Sequence, residues 1–223
     1  MRRTRPLRIR PSQPETPRTP APAVSERQPL AVAITGGIGA GESAALAAFA
    51  RHGAATLSAD DVVHRLLRED DGVRAALVGR WGGRILGADG HLDRARIAEI
   101  VFDERDELGW LEGVLHPRVA AETEAWRDGL ARSAEPPALV AVEVPLLYET
   151  GGDRRFDAVV VVTAPAEVRG ERARVDAAAR ERRLVPDDEK VRRADFAYVN
   201  TGTLDELDAW VAGVVRDLRE RMA

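Results

Sequence analysis

Cysteine is absent from the 223 residues, which excludes disulfides, thiolate metal sites and cysteine nucleophiles. Lysine is almost absent: Lys190 is the only one, and the rest of the basic charge is arginine. Together with abundant alanine, this reads as coding drift rather than chemistry. No apolar run reaches the roughly 18–20 residues of a membrane span; the longest, Ala158 to Ala164, is strand-sized. Strong net charge is missing too. At −4, the chain gives no reason to expect nucleic acid or a membrane surface as partner. His52, His64 and His91 are scattered and do not form a metal-ligand set.

The first 28 residues lack acids before Glu15 and hold few large apolar side chains, while arginine and proline recur throughout. Such a segment cannot bury enough surface to offset the entropy of ordering, so 1–28 is expected to be a disordered extension. Its Arg2-Arg3 pair has no apolar stretch behind it, unlike a secretory signal. The cytoplasm is therefore the default compartment. The remaining length suits one main domain with an insertion.

What is present is a glycine loop in a definite setting. The apolar run Leu30 to Ile34 leads into Gly36-Gly37-Ile38-Gly39-Ala40-Gly41-Glu42-Ser43, and an alanine-rich helical stretch follows through Ala44 to Arg51. Strand, loop and helix in that order give the phosphate-loop pattern G-x-x-x-x-G-K-S/T its physical meaning. Glycines let the backbone turn so that successive N–H groups and the helix N-terminus point at phosphate oxygens. Glu42 stands where the pattern requires lysine, and it reverses the charge offered to the phosphates. At about 4 Å and an effective dielectric near 20, that Coulomb energy is about 4 kcal/mol, attractive for lysine and repulsive for glutamate. No lysine from a neighbouring loop can substitute except Lys190 itself.

Beyond the loop, Ala54 to Leu57 reads as a short buried strand ending at Ser58-Ala59-Asp60-Asp61, with a helix starting at Asp61. Residues 62–135 then read as helices and turns, interrupted by Gly82-Gly83, by Asp89-Gly90 and by His116-Pro117. Asp93 can cap the helix that carries Ile97 and Ile100. Apolar runs return at Ala138 to Val144, Phe156 to Thr163 and Ala194 to Asn200, with an arginine-rich helical stretch from Ala166 to Arg183 and a closing helix from Leu204. Strands alternating with helices predict an α/β fold: a doubly wound parallel sheet of about five strands, with an inserted helical domain. The expected division is 29–61 and 136–223 for the nucleotide-binding core, a lid near 169–190, and 62–135 for the insertion.

Five sequence features now stand in order: the loop, Ser58-Ala59-Asp60, Leu115-His116-Pro117, Val144-Pro145-Leu146-Leu147-Tyr148-Glu149, and Asn200-Thr201-Gly202. Only the loop is specific alone; the ordered set resembles the dephospho-CoA kinase family from Leu30 onwards. The resemblance implies ATP and Mg2+ as cofactors and phosphorylation of the ribose 3′-hydroxyl of dephospho-CoA, the last step of coenzyme A synthesis. It implies a small-molecule substrate, no nucleic acid or membrane partner, and a monomer or weak oligomer.

Residue by residue, the resemblance makes Asp60 the base that takes the hydroxyl proton. It puts magnesium at Ser43, with Glu143 acting through water. Gly36 to Ala44 would cradle nucleotide, Asn200 and Gly202 would hold the adenine, and His116, Pro145 and Leu146 would lie on the substrate side. Arg172 and Arg180 would clamp phosphate oxygens from the lid. From the residues alone, Asp60 reads equally as a helix cap, His116 as packing, and the lid arginines as a solvated face beside Glu167, Glu171 and Glu181.

The chain departs from the family pattern at Glu42, at Ser58 (where aspartate is usual) and in the lid, which looks shortened and has Leu184 in place of glutamine. Rescue would need a lid arginine or Lys190 to move in, with Glu42 turned outward or joined to the magnesium shell. Otherwise the alternative is a non-catalytic relative that binds a CoA-like ligand, nucleotide or a protein partner. A GTPase would need N-K-x-D, and Lys190 follows Asp187-Asp188-Glu189, so that version fails.

Overall fold

Valine-rich runs with side chains alternating between two faces build the sheet. In the computed structural model, which describes residues 28–165, 168–169 and 184–221, five strands pair in parallel. They are β1 (Leu30–Gly36), β2 (Ala55–Ser58), β3 (Leu139–Glu143), β4 (Ala158–Thr163) and β5 (Phe196–Val199). The order across the sheet is β2-β3-β1-β4-β5, with β1 at the centre. The α/β fold with a five-stranded parallel sheet is as the sequence predicts.

Period-two alternation sorts the core into two layers. Val32, Ile34, Val160 and Val162 join Phe49 of helix α1 (Glu42–Arg51) and Val211, Val214 and Leu218 of a late helix on one face. Ala33, Val159 and Val161 join Leu147, Tyr148 and Ala194 on the other. Apolar strands buried on both faces are what a central parallel sheet requires. The edge strand β2 differs: all four of its residues are half-buried rather than buried, because it pairs only with β3.

The chain divides into two compact units, residues 1–58 with 127–223, and residues 59–126. The second unit is helical: α2 (Ala59–Glu69), α3 (Asp71–Trp81), α4 (Arg94–Asp103) and most of α5 (Arg105–Ala131). Asp70 caps α3 by accepting from Val73 N–H at 2.8 Å, and Asp93 caps α4 by accepting from Ala95 N–H at 2.9 Å. Val73, Leu77 and Trp81 recur four apart and are buried, and Gly82 ends the helix at φ 69°.

Two helix boundaries differ from expectation. Helix α2 begins at Ala59, so Asp60 lies inside its first turn and is not the cap before Asp61. His116-Pro117 does not interrupt; α5 runs straight through Pro117. A helix-interior proline costs about 3 kcal/mol. Burial of Leu111 and Leu115 on the turns just before it, about 1.5–3 kcal/mol each, offsets that.

In the first unit, α6 (Asp187–Arg193) precedes β5, and α7 (Leu204–Glu220) closes the chain behind a reciprocal Thr203–Glu206 cap. Residues 1–27 and most of the expected lid, 170–183, lie outside the described residues.

Candidate functional site

The loop Gly36 to Ser43 joins the C-terminal end of the central strand to the N-terminus of α1. That is where an open parallel sheet places its ligands. Its shape depends on glycine at both ends. A side chain on Gly36 would collide with the carbonyl of Val162 on the neighbouring strand. Gly41 sits at φ 112°, where a Cβ would also lie 2.5 Å from Asn200 Nδ2. Asn200 is buried and donates to the Ala40 carbonyl at 2.7 Å, so the turn after β5 is tied directly to the loop. Gly202 packs against the Glu206 carboxylate of the α7 cap, which a side chain there would displace.

At the far end of the loop, Ser43 Oγ donates to Glu143 Oε1 at 2.9 Å. These are the two residues expected on the magnesium side, and they come from α1 and the end of β3. Ser58 lies opposite Glu143 in the β2–β3 register. The position that departs from the usual aspartate therefore adjoins this pair, and it contributes a hydroxyl instead of a charge.

Glu42 does not turn outward. Its Oε2 accepts from Gly41 N–H at 3.0 Å, folding the carboxylate back onto the loop. Burial pushes its carboxyl up to about 7, with hydrogen bonds from the Glu42 and Gly41 backbone opposing that rise and the charge of Glu143 adding to it.

Lys190 is fully buried on α6. Its Nζ donates to the Gly36 carbonyl at 2.9 Å and faces Glu149 Oε1 at 3.4 Å. Glu149 also accepts from Val185 N–H at 2.8 Å, which fixes the chain entering α6. The sequence pointed to Lys190 as the sole spare lysine, yet its anchoring role escaped it. The partners lie 154 residues apart, and no local pattern announces them.

A second cation reaches the loop from the expected lid. Arg169 pairs with Asp187 at 3.5 Å, and both crowd the space above Gly37, where a Cβ would stand 2.7 Å from Arg169 Nη1. Asp187 in turn accepts from Thr163 Oγ1 at 2.8 Å. Arg169 stands at the start of the expected lid, 169–190, but was not among its expected phosphate clamps. Arg172 and Arg180, the two chosen instead, lie outside the described residues.

The remaining expected residues are placed as follows. Asp60 is exposed on α2, and His116 is half-buried inside α5, both in the helical unit. Pro145 and Leu146 follow β3; the Pro145 carbonyl accepts from Thr35 Oγ1 at 3.3 Å, and Leu146 is half-buried. Ala44 is half-buried in the first turn of α1.

A glycine cradle, a serine–carboxylate pair at its end and a buried asparagine behind it describe a phosphate-transfer scaffold. The sequence profile described as dephospho-CoA kinase matches residues 30–206. The chain belongs to the dephospho-CoA kinase family.

A protein named dephospho-CoA kinase from Thermobifida fusca is 35% identical over 86% of this chain and 98% of its own length. One of the same name from Mesorhizobium japonicum is 38% identical over 85% and 97%. Among solved structures, TT1252 from Thermus thermophilus superposes with a TM-score of 0.69 at 32% identity, covering 86% of this chain and 98% of that one. The dephospho-CoA kinase from Campylobacter jejuni gives a TM-score of 0.65 at 23% identity over 86% and 98%, which bears on the fold alone. Among the described residues, no helix is long and apolar enough to cross a membrane.

Proposed function

We propose that the chain is an ATP-dependent kinase that phosphorylates the ribose 3′-hydroxyl of dephospho-CoA, acting in the cytoplasm as a monomer or weak oligomer. Family membership from residue 30 to 206 carries this reading. Asp60 accepts the proton of the 3′-hydroxyl as its oxygen attacks the γ-phosphorus, and ADP leaves. Arg172 and Arg180, with Arg169, supply lid cations to the transferring phosphoryl group. The loop from Gly36 to Ala44 receives the nucleotide phosphates, and the turn at Asn200 and Gly202 receives the adenine. His116, Pro145 and Leu146 lie toward the CoA-like substrate.

The donor set at the end of the loop suits magnesium. Ser43 Oγ and Glu143 Oε1 are hard oxygens 2.9 Å apart, the kind Mg2+ takes alongside waters and phosphates. Bound there, Mg2+ would neutralise charge developing on the phosphate oxygens. Ser43 would supply the direct ligand, and Glu143, which accepts the Ser43 hydroxyl, would act through water.

One observation favours the alternative, a relative that binds a CoA-like ligand, nucleotide or protein without turnover: the Glu42 carboxylate is lodged in the loop itself. The test is ADP formation by the purified protein with ATP and Mg2+, with and without dephospho-CoA, and mass detection of the product. ADP and 3′-phosphorylated product rising together, only with dephospho-CoA present, is the expected result. ATP binding without product would favour the alternative.

A further inference from the structure

A glycine loop between a strand and a helix offers inward N–H groups to an anion. Here the chain supplies an anion of its own. Glu42 Oε2 takes the Gly41 N–H at 3.0 Å, and Oε1 reaches to 3.0 Å from the place of a Cβ on Gly36, at the opposite end of the loop. One carboxylate therefore lies beside both Gly36 and Gly41. Glu143 repels it while Lys190 attracts it, and the Gly41 N–H holds it on the loop.

We infer that the Glu42 carboxylate is an internal anion of the phosphate loop, which the phosphates of a nucleotide must displace in order to bind. The loop then has two occupied states, one closed on its own carboxylate and one holding phosphate. The length of the side chain matters as much as its charge. Aspartate at the same position would keep the charge but, one methylene shorter, would not span to the Gly41 N–H. This inference deepens the kinase reading, and rests on it only for naming a nucleotide as the competitor.

The experiment titrates magnesium-free ADP and inorganic pyrophosphate into the full chain, Glu42→Ala and Glu42→Asp, by calorimetry. A displaced charge-assisted hydrogen bond predicts that both variants bind about ten- to a hundredfold tighter than the parent. The Gly41 amide resonance is expected to shift in both variants and to shift further on adding pyrophosphate. If Glu42→Asp binds as weakly as the parent while Glu42→Ala binds tighter, repulsion through space is the cause and the internal anion is overturned. Unchanged affinity in both variants overturns it equally, as does a Gly41 amide indifferent to the substitutions.

Phosphoryl transfer to dephospho-CoA is scored separately. Tighter ADP binding with no transfer by any variant would remove the kinase reading and leave this inference standing. Transfer by the parent, with affinity unmoved by both substitutions, would do the reverse.

Discussion

At its start the phosphate loop is held by a buried cation, and at its end it is filled by a carboxylate. Lys190 grips the Gly36 carbonyl from below, balanced by Glu149 and shielded from water. Six residues later Glu42 takes the Gly41 N–H and adjoins the acidic Ser43–Glu143 pair. The first arrangement shapes the backbone; the second decides what the backbone can bind. A loop can thus keep its architecture while its charge toward a ligand is inverted. The architecture rests on buried contacts between distant residues. The ligand charge rests on one half-buried side chain, Glu42.

The largest effect is expected at Glu42. Glu42→Lys frees the Gly41 N–H for phosphate and adds an attraction of about 4 kcal/mol at about 4 Å and an effective dielectric near 20. Solvent and magnesium screen part of this, and Ser58 still lacks the usual charge. ATP affinity and kcat/KM together are expected to gain about a hundred- to a thousandfold. Paired ATP titrations and a coupled assay on both proteins check this, and an unchanged pair of values would contradict it.

The opposite end should respond in stability instead. Lys190→Met strands the Glu149 carboxylate in a buried setting, at a cost of about 3 kcal/mol or more. Urea unfolding should show a lower midpoint with an unchanged slope. Lys190→Met/Glu149→Leu should recover part of the loss, since replacing both partners removes the orphaned charge.

Smaller again is Asn200→Ala, which leaves the Ala40 carbonyl without its buried donor and costs about 1–3 kcal/mol. Because Asn200 also packs beside Gly41, its loss should loosen the loop. Amide exchange is therefore expected to quicken at Ala40 to Ser43 while β1 stays protected.

The smallest effect lies away from the loop, where α1 meets α7. The Asp208 carboxyl is held below its ordinary range by the Arg51 guanidinium at 2.8 Å and by His52 at 3.0 Å. A carboxyl depressed by folding adds stability above its unfolded pKa, and that stability is lost as pH falls through the folded value. Asp208→Asn should therefore lower stability at neutral pH by under about 1 kcal/mol, given the exposure of the pair. The difference from the parent should vanish in acid, as pH-dependent thermal melts would show.

The amino-acid order alone specifies the fold class and the position of the loop. Both are written in short range: period-two valines in β1, β3 and β4, and glycines between a strand and a helix. It also brought Ser43, Glu143 and Asn200 forward as candidates, because each stands in or beside a motif whose order along the chain is specific.

Folding alone settled which way Glu42 turns, that Lys190, paired with Glu149, holds the Gly36 carbonyl, and that Arg169 with Asp187 crowds Gly37. It also decided that α5 passes through Pro117. Each of these is a balance between distant groups: a carboxylate choosing among loop N–H, lysine and a second acid, or a helix trading one lost hydrogen bond for two buried leucines. Residue type sets what each group can do. Burial and distance, which exist only once the sheet has brought residues 36, 42, 149 and 190 together, set which of those possibilities wins.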